Sequence, residues 1–189
     1  MLSFLNSHQK NRRCHKQRNN MKLLFENWRG YLNEGSGFKF KGSADYFRVE
    51  MPGVGYAEGG EHLRLKECED DVDALKQTPE YLEAEEQFQS NPKNVWGDGE
   101  PKKFRPRFYD VNNAWISNPE KRGKGFGKEI YKAFIDKAIE YSKSYGGVFI
   151  GAHYCTIGSG TSPDAKRVWK SLAGDYTSSG DVIFIGTAQ

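Results

Sequence analysis

The chain has 189 residues, enough for one domain with tails, and its 14% aromatic share is more than a disordered polar chain carries. No window approaches the roughly 18 consecutive apolar residues of a membrane helix, so no membrane partner is expected. The net charge of +3 is uneven: residues 1–20 hold Lys10, Arg12, Arg13, Lys16 and Arg18 and no acid, which leaves −2 for the rest and argues against nucleic acid as a partner. Cys14, Cys68 and Cys155 lie far apart in no ligand spacing, which predicts free thiols in a reducing cytoplasm and no metal site.

In residues 1–20 an apolar patch (Leu2, Phe4, Leu5) precedes the basic run, the reverse of a secretory signal. The segment reads as a nucleic-acid-binding arm or as sequence upstream of a start at Met21. From Met21, Leu24, Phe25, Trp28 and Leu32 recur at helical spacing until Gly35-Ser36-Gly37 breaks the pattern. Residues 21–37 are therefore read as an amphipathic leader helix and link, and 38–189 as a single domain. The helix either packs on that domain or is a detachable targeting peptide. It resembles the capsid-targeting leaders of large tailed bacteriophages, and Leu32-Asn33-Glu34 is similar to the Leu-x-Glu site of their prohead proteases. That resemblance implies cleavage after Glu34, packaging in the virion and delivery to the host cytoplasm.

Residues 38–66 read as short strands and turns, with Tyr46, Val49, Met51, Leu63 and Leu65 as apolar positions between glycines. Residues 67–89 are acidic and helix-prone, with Pro79 dividing two helices. That charge suits a cationic amine or a lysine tail, and equally a solvated helix face. Residues 91–106 form a loop rich in Pro, Gly and charge.

Phe108 to Ile116 reads as a strand, with Asn118-Pro119 as the turn after it. The loop Arg122-Gly123-Lys124-Gly125-Phe126-Gly127 follows. A long helix comes next, with rows at Phe126, Ile130, Phe134, Ala138 and at Tyr131, Ile135, Ile139, ended by Gly146-Gly147. Glycines let backbone amides approach an anion, and the helix start adds unpaired donors and the positive end of its dipole. Eleven Lys or Arg against five Asp or Glu in residues 101–143 suit a ligand with several phosphates. The Walker pattern fails because Arg122 stands where its first glycine belongs. The dinucleotide pattern fails because position 128 is Lys.

What remains, Arg122-x-x-Gly125-x-Gly127 between a strand and a helix, resembles the Gln/Arg-x-x-Gly-x-Gly/Ala signature of the GNAT acetyltransferase superfamily. The resemblance spans roughly residues 105–185. It implies an α/β fold with a mixed, mostly antiparallel sheet, a splayed parallel strand pair and flanking helices. It also implies acetyl-CoA as cosubstrate and an amine-bearing small molecule or protein as acceptor. By the same resemblance, Gly123, Lys124, Gly125, Phe126 and Gly127 supply amides to the pyrophosphate beside Arg122. Ala114, Trp115 and Ile116 pair with pantetheine between their strand and a second one at Val148–Ala152, and Ser162 faces the thioester. Ser162 and Pro163 begin a helix on their own chemistry as well. The family's Asn is here Ser162 and its acidic Tyr is here Trp169, which carries no acidic proton at neutral pH. Tyr176, Ser171 or water are the substitutes, and Trp169 reads equally as core. By the same resemblance Asp110 is the candidate base, or else an ordinary exposed strand-end acid, with Glu120 and His153 as alternatives. A non-catalytic binding module of the same fold is the competing reading. After Asp181 the sequence leaves room for one clear final strand.

Overall fold

Alternating side chains across residues 39–61 build three antiparallel strands: β1 (Lys39–Gly42), β2 (Tyr46–Met51) and β3 (Gly55–Glu61). The computed structural model describes residues 37–61, 68–152 and 162–187. The chain divides into two units, Met1–Phe38 and Lys39–Gln189, and every element described here belongs to the second. The leader at residues 21–34, Leu63, Leu65 and His153 lie outside the described residues. Of the apolar positions read in β2, Val49 is buried beside Phe47 on the odd-numbered face, while Tyr46, on the other face, is 47% exposed.

Pro79 divides the acidic stretch as expected, into α1 (Glu69–Lys76) and α2 (Pro79–Ser90). It occupies the first turn of α2, where its missing N–H costs nothing, and Thr78 Oγ1 accepts the Tyr81 amide as cap. Next come β4 (Arg107–Ile116), α3 (Phe126–Ser142) and β5 (Gly147–Ala152). The chain continues through α4 (Pro163–Ala173), β6 (Thr177–Ser179) and β7 (Val182–Gly186). The seven strands form one sheet in the order β1-β2-β3-β4-β5-β7-β6, in which only β4 and β5 run parallel. The architecture is thus α/β with an open, mostly antiparallel sheet. The end of the chain corrects the expectation of one final strand. β6 and β7 form a short hairpin around Gly180 (φ +52°), and polar Thr177–Ser179 carry no apolar signal by which a strand could be read.

The sheet buries its two faces differently. One face presents Phe47, Val49, Ala57, Tyr109 and Val111 to α3, with Phe47 and Phe134 stacked at 4.4 Å. The other packs Phe108, Phe149, Val182 and Phe184 against Val72 and Leu75 of α1 and Tyr81 of α2. Each such large side chain contributes roughly 1.5–3 kcal/mol on burial. Cys68, expected as a free thiol, is buried and disulfide-bonded, with its partner outside the described residues. Among the described residues no helix is long and apolar enough to cross a membrane.

Candidate functional site

The turn from β4 to α3 is pinned from several sides. The Asn118 amide donates to the Val54 carbonyl at 3.2 Å, its Nδ2 donates to the Gly53 carbonyl, and its Oδ1 accepts the Glu120 amide at 3.0 Å. Residues Pro119–Lys121 form one tight helical turn. The chain then reverses through Gly123 (φ +72°) and Gly125 (φ +87°), a left-handed conformation that side-chain-bearing residues adopt only at a cost of about 1–2 kcal/mol. A Cβ at either glycine would meet open space, so conformation and not crowding requires glycine there.

After the Arg122 amide, which bonds the Pro119 carbonyl, the next amides with a backbone acceptor among the described residues are those of Lys128 and Glu129, both bonding the Gly125 carbonyl. The amides of Gly123, Lys124, Gly125, Phe126 and Gly127 have no backbone acceptor among the described residues. Five consecutive N–H groups without a backbone acceptor among the described residues thus stand at the start of a 17-residue helix, a nest whose donors and helix dipole favour negative charge. Cations are held beside it. The Arg122 guanidinium lies 5.0 Å over the Trp115 ring with Nε donating to the Ile116 carbonyl, and the Lys121 ammonium lies 5.5 Å over the Phe126 ring. Lys128 is committed elsewhere. It pairs with Asp175 at 3.1 Å and donates to the Ser171 carbonyl, tying the first turn of α3 to the end of α4.

β4 carries the other half of the site. Its pairing with β5 runs from Arg107 opposite Val148 to Val111 opposite Ala152. Beyond that, Asn112–Ile116 continue against β3, and no described strand pairs their other edge, which includes Ala114, Trp115 and Ile116. The register with β3 shifts between Glu58 and Gly59. Asn113 opposes Glu58 and Val111 opposes Gly59, so Asn112 is the extra residue of a β-bulge. The bulge resets the alternation. Asp110, Asn113 and Trp115 share the face opposite α3, although a regular strand would separate Asp110 from the other two.

Asp110 is fully buried, which corrects the alternative of an exposed strand-end acid. Its direct neighbours across the sheet are Gly60 on β3 and Gly151 on β5. A Cβ at Gly59 would run into the Asp110 carbonyl, which holds the two strands in close approach. The pair of glycines beside a buried acid is the feature that sequence reading missed. Gly-Gly at 59–60 signalled only a turn, and the pairing partner lies fifty residues away.

The remaining candidates are dispersed. Trp169 is 2% exposed, donates through Nε1 to the Asp181 carbonyl at 2.9 Å and meets Tyr131 edge-on at 5.8 Å, so it is core. Ser162 caps α4 by accepting the Ala165 amide at 3.2 Å. Tyr176 follows α4 and neighbours Asp136 in the middle of α3. Burial, then the Asp136 and Asp175 charges, holds its hydroxyl pKa well above the ordinary value. Glu120 lies exposed in the turn before the glycines. Among known protein families, curated proteins and solved structures, none matches this chain.

Proposed function

We propose that the chain is an N-acyltransferase of the GNAT type, moving an acetyl group from acetyl-CoA to an amine. The observation that carries this reading is the nest of five amides, 123–127, at the start of α3. Its donors suit a pyrophosphate, with Arg122 and Lys124 adding positive charge. Two further features support it. The lone parallel pair, β4–β5, lies centrally in an otherwise antiparallel sheet, and β4 runs past that pairing with an edge to which pantetheine amides could bond.

The chemistry follows from the groups present. The amine lone pair attacks the thioester carbonyl and forms the C–N bond, and the tetrahedral adduct collapses with cleavage of C–S. Asp110, between Gly60 and Gly151, is the base that takes the surplus proton from nitrogen. The departing thiolate takes its proton from water. Tyr176 lies beside Asp136, ten residues along α3 from Phe126 and so about 15 Å from the nest, and its raised pKa makes it a poor donor. A host or bacterial cytoplasm belongs with this proposal, though a Cys68 disulfide requires an oxidising step.

A second reading has its own observation. With Trp169 packed in the core at the place where the resemblance implies a tyrosine, the fold could bind coenzyme A without turnover. Calorimetric titration of acetyl-CoA into the wild type and Gly125→Glu comes first. Micromolar binding that the variant abolishes is the expected result, and absence of heat in the wild type overturns both readings. Turnover of any amine then separates the enzyme from the binding module.

A further inference from the structure

The glycine turn carries a surplus of positive charge. Residues 118–127 hold Lys121, Arg122 and Lys124 against the single acid Glu120. Cations on neighbouring elements are spent: Arg48 pairs with Glu58, Arg107 with Glu61, and Lys128 with Asp175. Lys121, Arg122 and Lys124 have no carboxylate partner among the described residues.

Arg122 is also held in place. Its guanidinium lies 5.0 Å over the Trp115 ring, and its Nε donates to the Ile116 carbonyl at 3.3 Å. The ring face and the one hydrogen bond fix the plane of the fork without neutralising it. Both terminal nitrogens are left without an acceptor among the described residues. Ala114 pairs with Ala57 on the face that α3 covers, so Trp115 stands on the opposite face of β4. The guanidinium is therefore drawn to that side, off the helix whose start carries the amides 123–127. Two anion positions result, one of backbone donors at the start of α3 and one of a planar cation beside the end of β4. A ligand with a diphosphate alone would fill the first and leave the second idle.

Resting on the acyltransferase reading, we propose that Arg122, braced on Trp115, takes the 3′-phosphate of coenzyme A while the amides take its pyrophosphate. The chain then distinguishes coenzyme A from dephospho-coenzyme A, which differs only in lacking that group. A phosphomonoester carries a charge of about −1.5 to −2 at pH 7 and three acceptor oxygens, a match for the fork of a guanidinium. The same ribose carries the adenine, and Trp115, 53% exposed, offers ring surface for it beside Arg122.

The test is calorimetric titration of coenzyme A and of dephospho-coenzyme A into the full chain and into its Arg122→Gln and Arg122→Lys variants. The wild type should bind coenzyme A about tenfold more tightly than dephospho-coenzyme A. Arg122→Gln should bring the ratio of the two affinities close to one. Arg122→Lys keeps the charge but not the fork, and should retain part of the ratio. Equal affinities in the wild type overturn the proposal, and so does a ratio that Arg122→Gln leaves intact. The wild-type comparison needs no variant, so a misfolded variant does not shield the proposal. Failure of both ligands to bind the wild type removes the acyltransferase reading and this proposal with it, whereas equal binding of both removes the proposal alone.

Discussion

At the scale of single residues, Asp110 decides whether the site is catalytic. A carboxylate with no exposure is retained at a cost of desolvation, and the proposed role as base is what its amide isostere would remove. Asp110→Asn should therefore keep the fold and the affinity for acetyl-CoA, while kcat with any reacting amine falls at least a hundredfold. Equal loss of coenzyme A binding would mark Asp110 as structural. Its candidacy was legible in the sequence as an acid on the strand before the glycine loop. Its burial was not, because its surroundings come from distant parts of the chain: Gly60 of β3 and Gly151 of β5 stand beside it in the sheet, and the bulge at Asn112 puts Asn113 and Trp115 on its face. Alternation read along one strand assumes no bulge, and here that assumption assigns the wrong partners. Trp169 shows the converse case. Its spacing with Leu172 on α4 marked it as core, and the structure places it there.

At the scale of elements, the turn into α3 was the most legible part, since Asn118-Pro119, the glycines and a 3.6-residue apolar period act within a few residues of one another. The helix runs to Ser142 and is followed by one tight turn and by Gly146 at φ +89°, the glycine expected to stop it. The β6–β7 hairpin was illegible because its first strand is three polar residues held by pairing alone. The three loop glycines look alike in sequence, yet the structure separates them. Gly125 needs a left-handed backbone, so Gly125→Ala should lower stability by about 1–2 kcal/mol, a fall in Tm of roughly 2–8 °C. Gly127 lies inside the helix at ordinary φ, and an added Cβ would touch a Val168 methyl at 3.5 Å, normal van der Waals contact. Gly127→Ala should leave Tm unchanged or raise it slightly, through better helix propensity. Thermal melts of the two variants check the assignment, and equal loss in both would refute it.

At the scale of the whole molecule, the turn before β7 joins parts of the chain that are far apart. The Asp181 carbonyl accepts both the Trp169 indole of α4 and the Ala152 amide at the end of β5. Asp71 of α1 folds over the adjacent Gly180 and accepts the Ser179 hydroxyl at 3.1 Å. The Asp181 carboxyl therefore lies partly buried and close to a second acid. Burial first, and then the Asp71 charge, raises its pKa above the ordinary value of 3.8. The sign of the linkage follows. Between the unfolded pKa and the higher folded one, the native state binds more protons than the unfolded state, so stability falls as pH rises through that window. Above it, an ionised Asp181 disfavours the fold by a constant amount. Asp181→Asn keeps both backbone bonds and removes that charge. Its Tm should exceed the wild type's by about 1–3 °C at pH 7, and the difference should shrink as pH falls toward the ordinary carboxylate range. Melting both proteins across pH 3.5 to 8 measures this directly. A variant less stable than the wild type at pH 7 would show that the ionised carboxylate stabilises the junction of α1, α4 and β5.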